Sequence, residues 1–194
     1  MPQSGILADV AADLRKGLLL WQDEVNAGGG LLGRRVELLL LDDRSEPGAV
    51  GKLYEQLILE HKADLLIGPL GSAASLGAAA VAERNRRVLV NATGASRSVH
   101  RSALRYVFQT ATPLSAFGAG PFELARGLGV GRVMLLAREE PGAREMAARA
   151  QEGAAAAGLV AGPVEVYSPG STDFAPQVAR ARASGADAWI AFGL

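Results

Sequence analysis

The stretch Asn26–Pro69 constrains the fold more than any other part of this chain. It holds a glycine turn at Gly28–Gly33, then the nearly continuous apolar run Val36–Leu41, broken only by Glu37. Asp42 and Asp43 close that run, a helical face formed by Val50, Leu53, Leu57 and Ile58 follows, and a second apolar run spans Ala63–Ile67. A short apolar run bounded by turn residues suits a strand covered on both faces, as in parallel sheets. Strand, helix, strand in that order predicts a right-handed crossover and an α/β fold.

The pattern extends both ways. Val10, Leu14, Leu18, Trp21 and Val25 recur at helical spacing, and Gly28–Gly30 stop that helix. Ser45 is a candidate N-cap with Pro47 in the first turn, and Ser72 is a candidate cap for an Ala-rich helix to Arg84. Further strands are predicted at 87–90, 106–110, 133–136, 164–167 and 188–192. Asn91–Ala103 reads as a polar loop. Helices are predicted from Pro113 to Leu128, over 142–158, and from Asp173 through Ala183. Pro113 interrupts the alternation, which restarts beyond it, so the predicted domains are 1–112 and 113–194.

Composition excludes several function classes. Twenty Lys and Arg balance twenty Asp and Glu, so no net field draws in nucleic acid or an anionic surface. The absence of Cys removes disulfides, thiolate zinc sites and Cys nucleophiles, and having only two His argues against a three-ligand catalytic zinc site. No cofactor or metal is implied. No apolar run approaches the ~20 residues that cross a bilayer, and Met1–Asp13 lacks a signal-peptide pattern.

The motifs are weighed the same way. Gly28–Gly33 has phosphate-loop spacing, but Arg34 and Arg35 follow it, and it precedes a strand instead of a helix, so it reads as a tight turn. Asp42–Asp43 resembles the acidic pair of receiver domains, yet the later strand ends offer Gly68, Asn91 and Thr110, with no phospho-accepting Asp. The pair reads as carboxylates that cap turns and helix starts. His61 sits at a helix end, where a cation is favourable. Ser96, Ser98 and His100 lie close together without a group to orient the imidazole, so no enzyme is expected.

Two loops point to binding. Gly68–Ser72 joins a buried strand to a helix, which aims free N–H groups at the strand's carboxyl end; Ser72 is either an N-cap or an anion ligand. Asn91–Ser96 is small and polar and follows the next strand. Ligands of open α/β sheets bind in the crevice at strand carboxyl ends.

These residues, in order, resemble a known family. Ser4-Gly5 with Gly17, Val25–Gly30 with Gly33-Arg34, Asp42-Asp43 with Pro47, Ile67–Pro69, Ser72 and Asn91–Ser96 look like the Leu/Ile/Val-binding type of periplasmic substrate-binding protein that serves ABC transporters. The resemblance implies a type I periplasmic-binding-protein fold, with two flavodoxin-like parallel-sheet lobes that are incomplete in this chain. It implies that an amino acid or related small carboxylate is clamped between lobes, and that an ABC permease is the partner. The location it implies is periplasmic or extracellular and lipid-anchored. A ligand-sensing receptor domain or regulator of the same fold is the alternative.

By the same resemblance Gly71 and Ser72 hold the ligand's carboxylate together with Thr93, Gly94, Ala95 and Ser96. Val10 lies near the ligand's side chain, and Pro141 or Gly142 closes over it. The chain departs from the family at Val10, where an aromatic is usual, at Pro141-Gly142 in place of Tyr-Gly, and at Ala95 in place of Thr. The resemblance also implies a strand before Ser4 and a later segment that finishes the second lobe. Without that strand, 4–9 should begin as a loop at a sheet edge, a gap or substitute should fill the strand's place, and unpaired edges should invite association.

Overall fold

A computed structural model describes residues 1–100, 104–117 and 120–193. Parts of the predicted loop 91–103 and of the helix after Pro113 therefore lie outside the described residues. The chain divides into two compact units. One comprises Met1–Gly94 with Ala103–Thr110, the other Ala95–Ser102 with Ala111–Leu194.

The first unit holds helix α1 (Ala8–Ala27), α2 (Val50–Leu59), strand β1 (Leu66–Ile67), α3 (Ser72–Arg84), β2 (Leu89–Asn91) and β3 (Val107–Gln109). The strands form a parallel sheet in the order β1-β2-β3. Leu66 and Leu89, both buried, face each other across the first pairing. α3 connects β1 to β2 and presents a buried stripe of Ala74, Ala78, Ala79, Val81 and Ala82. These positions repeat at three and four residues, as one helix face requires.

One predicted strand is absent. Val36–Leu41 belongs to no strand and pairs with none among the described residues. A strand needs a ladder partner for its backbone groups; here side chains and the chain's first residues substitute. Asn26 spans Val36, its Nδ2 donating to the carbonyl at 2.9 Å and its Oδ1 accepting from the amide at 2.7 Å. Gln22 Oε1 accepts from Leu38 N at 2.7 Å. The side-chain Nε2 of Gln3 donates to Leu40 O, and the Met1 nitrogen donates to Leu41 O. Ser4–Leu7 is a loop, as expected, but Ala8 and Asp9 already belong to α1.

The acidic pair has a structural role. Arg44 and Ser45 both adopt positive φ, 54° and 63°, a conformation that costs a side-chain-bearing residue about 1–2 kcal/mol. Asp42 Oδ1 accepts from Arg44 N at 2.9 Å, and Asp43 Oδ1 accepts from Ser45 N at 3.0 Å. Asp42 also receives Gln3 N at 2.7 Å and Ser4 Oγ at 2.7 Å. Ser45 is not the expected cap. Its hydroxyl donates to Ser4 O and accepts from Leu7 N, while Pro47–Ala49 forms a 3-10 turn ahead of α2. Thus Ser4-Gly5 and Asp42-Asp43, nearly forty residues apart, build one junction.

The second unit holds α4 (Gly120–Gly127), β4 (Arg132–Arg138), α5 (Pro141–Ala156), β5 (Val160–Ala161), β6 (Glu165–Tyr167), α6 (Ala175–Ser184) and β7 (Ala188–Phe192). β4 is central, with parallel pairings to β5 and β6 and to β7. Its side chains alternate between two cores. Val133, Leu135 and Ala137 pack with α4, the Ala stripe of α5, and Phe192. Met134 and Leu136 pack with Ala181 of α6, Tyr167 and Phe174. Phe174, not the expected Asp173, is the N-cap of α6; Asp173, one residue earlier, still accepts from Ala175 N at 2.9 Å. No helix among the described residues is long and apolar enough to cross a membrane.

Candidate functional site

The candidate residues divide between the units, and apart from Val10 they follow the carboxyl ends of parallel strands. In the first unit β1 and β2 are neighbours, so the loops that follow them leave the same sheet edge side by side. These loops carry Gly71-Ser72 and Thr93-Gly94.

Gly71, not Ser72, is the N-cap of α3, with φ 85° and ψ 160°. Glycine adopts this backbone at no steric cost. Ser72 is therefore the first helical residue, which corrects the expectation that it caps the helix. The N-terminal N–H groups of a helix carry a partial positive charge and lack intrahelical partners. Gly71, Ser72 and Ala73 are half-buried there. The Gly71 amide donates to Thr93 Oγ1 at 3.3 Å, and the Thr93 hydroxyl donates to Pro69 O.

Beneath these loops lies a buried polar cluster that the sequence reading passed over. Ser75 and Asn91 are both 0% exposed. Ser75 Oγ lies 2.8 Å from Gly71 O and 3.2 Å from Asn91 Oδ1. Asn91 clasps Gly94 from both sides, its Nδ2 donating to the carbonyl at 2.7 Å and its Oδ1 accepting from the amide at 3.0 Å. A Cβ on Gly94 would collide with Ser75 Oγ and Cβ. Two signals were present in the sequence: a serine on the buried face of an Ala-rich helix, and an asparagine ending a buried strand.

Val10 stands on the first turn of α1 and is 56% exposed. The loop that leads into that turn is tied by hydrogen bonds to Asp42 and Ser45. Asp42 is half-buried, and its carboxyl is held well below the usual carboxylate range, first by the Gln3 backbone amide, then by Ser4 Oγ and the Arg44 amide.

In the second unit, Pro141 is the first residue of α5 and Gly142 is buried behind it. Pro there fits a position whose N–H has no helical partner. Glu139, just after β4, takes a bidentate pair from Arg144, at 2.8 Å and 2.6 Å. That pair holds the Glu139 carboxyl below its ordinary value. Ala95 and Ser96 belong to this unit and are buried. Ser96 Oγ donates to Glu145 Oε2 at 2.6 Å, and the Arg97 amide meets the same oxygen at 2.7 Å. Glu145 thus fixes the Ser96–Ser98 turn to α5, a contact across 49 positions of sequence. Among the described residues no cluster of His, Cys, Asp and Glu could hold a metal ion.

The chain was compared with known proteins. A family model described as periplasmic binding protein matches residues 1–194. Among solved structures, the chain is similar to leucine binding protein LivK from Thermotoga maritima, at 24% identity and a TM-score of 0.88, over 98% of this chain and 53% of that one. It is similar to substrate binding protein LivJ of the branched-chain amino acid transporter from Streptococcus pneumoniae, solved with isoleucine, at 24% identity and a TM-score of 0.81, over 97% and 54%. A solute binding protein of an ABC transporter from R. palustris, solved with benzoate, matches at 21% identity and a TM-score of 0.85, over 99% and 53%. The chain spans about half the length of these relatives, and at such identities the likeness is one of fold. The motifs, the parallel sheets and the match over every residue agree: this chain belongs to the periplasmic binding protein family.

Proposed function

We propose that this chain contributes ligand-binding surface to an extracytoplasmic solute-binding protein that captures an amino acid or related small carboxylate for an ABC importer. One observation carries the reading. The α3 N-terminus, with Gly71 and Ser72, and the Thr93-Gly94 loop leave adjacent parallel strands at the same end. Backbone N–H groups at a helix start, beside a threonine hydroxyl, suit a carboxylate. The two ligands named with the similar structures, isoleucine and benzoate, have a carboxylate in common. Gly71, Ser72, Thr93 and Gly94 would hold that group. Ala95, Ser96, Pro141, Gly142 and Val10 would shape the remainder, and a membrane permease at the periplasmic or cell-surface face would receive the ligand.

Thermal melting of the protein with L-leucine, L-isoleucine and benzoate, each beside the amide that lacks its carboxylate, tests the reading. A ligand at a hundredfold its Kd stabilises the folded state by about 2.7 kcal/mol. At least one acid should raise Tm while its amide leaves Tm in place. If no acid moves Tm, or acid and amide act alike, carboxylate capture is wrong.

A further inference from the structure

We propose that Ser75 and Asn91 are positioning residues for ligand capture, setting the two carboxylate-facing loops of the first unit as one rigid piece. The inference rests on the reading that these loops hold the ligand, and names side chains that never touch it.

Neither hydroxyl nor amide is placed for helix or sheet stability alone. Asn91 ends β2, and its side chain turns back to take both backbone groups of Gly94. That reciprocal clasp fixes its orientation, since only Nδ2 can donate to the carbonyl. Its Oδ1 then accepts from the Gly94 amide at 3.0 Å and lies 3.2 Å from Ser75 Oγ, whose single proton is shared between this oxygen and Gly71 O. The serine hydroxyl stands closer still to the other loop, 2.8 Å from Gly71 O, one turn back along the chain. Thr93 makes a second link over the top, between Gly71 N and Pro69 O. Each loop is therefore tied to the other twice, once above by a residue of the site and once below by the Ser75–Asn91 pair. The contact at Gly94 leaves no slack, because a single added carbon there would strike Ser75. A buried polar network with its partners met rigidifies what it joins, and binding groups held in place before the ligand arrives lose less ordering entropy on capture.

The test uses Ser75→Ala, which removes one hydroxyl from a helix that tolerates alanine, and Asn91→Ala. Amide hydrogen exchange is followed at Gly71 and Gly94 without ligand, and Kd is measured for L-leucine and benzoate well below each variant's Tm. Ser75→Ala should speed exchange at both glycines together. It should weaken the bound probe about threefold to tenfold, the worth of one hydrogen bond. Combining it with Thr93→Val should give less than the product of the separate losses. A purely structural pair would lower Tm and leave Kd alone; that result, or exchange changing at one glycine without the other, overturns the proposal. If Asn91→Ala does not fold, Ser75→Ala decides. If the parent protein binds neither probe, the reading as a receptor for these acids falls, while the exchange at Gly71 and Gly94 still decides whether the pair couples the loops.

Discussion

Two apolar runs of similar appearance meet opposite fates in this molecule. Arg132–Arg138 lies at the centre of its sheet, bonded on both edges, with side chains alternating between two cores. Val36–Leu41 is as apolar, yet among the described residues it pairs with no strand, and it leaves Leu39 41% exposed. The difference lies in what stands beside each run. β4 has neighbours that supply both hydrogen-bond partners and covering helices. Among the described residues, the backbone of the earlier run is bonded instead by Asn26, Gln22 and the first few residues. Hydrophobicity makes a strand possible, and a partner makes it one.

That contrast can be broken by substitution. The largest effect should come from Leu135→Ala, since Leu135 is 0% exposed in the middle of β4. A buried leucine truncated to alanine costs about 2–5 kcal/mol, readable by chemical denaturation; a loss under about 1 kcal/mol would mean the core is not where we place it. Asn26→Ala should come next, at about 1–3 kcal/mol, because it strands the amide and carbonyl of Val36 together. Unchanged amide exchange at Val36 would show that the side chain is not the substitute partner.

A smaller effect should appear in acid. Asp42 closes the unpaired run, and Asp187 opens the paired one by accepting the amides of Gly131 and Arg132 at 3.0 Å and 2.8 Å. The Asp187 carboxyl is held below its ordinary value, first by the Arg132 amide and then by that of Gly131. A carboxyl whose folded pKa is depressed stabilises the protein fully above its unfolded value, near ~3.9, and loses that contribution as pH falls through the folded value. Asp42→Asn and Asp187→Asn should each flatten the fall in Tm below about pH 4, modestly, because Asp187 is exposed and Asp42 only half-buried, so solvent screens both. An equally steep acid limb in both variants would remove the carboxylates from the account. Leu39→Thr should change stability least, within about 0.5 kcal/mol, as an exposed site with no pairing does.

The same contrast explains what the sequence made legible. Local signals sufficed where one element decides its own state: the periodic helices α1 and α5, the last strand over Ala188–Phe192, the turn at Gly28–Gly33. The family pattern was readable because its pieces must meet, as Ser4-Gly5 and Asp42-Asp43 do. Pairing was not readable, so Val36–Leu41 looked like a strand. Nor was the choice between Gly71 and Ser72 as cap, which turns on one positive φ. At the candidate site the loops stood out by composition. The side chains that brace them did not: Ser75 lies in an alanine-rich run, and Glu145 reaches Ser96 from 49 residues away.

The clasp on Val36 has a bearing on how this protein keeps in solution. A leucine-rich run with bare amides and carbonyls would offer a template on which strands of other copies could stack. Asn26 takes both polar groups of Val36 and Gln22 takes the amide of Leu38, so alternate rungs of that template are already filled from within. Two uncharged amide side chains on one helix thus occupy part of one edge on which another strand could add, and replacing both should show first as turbidity on storage.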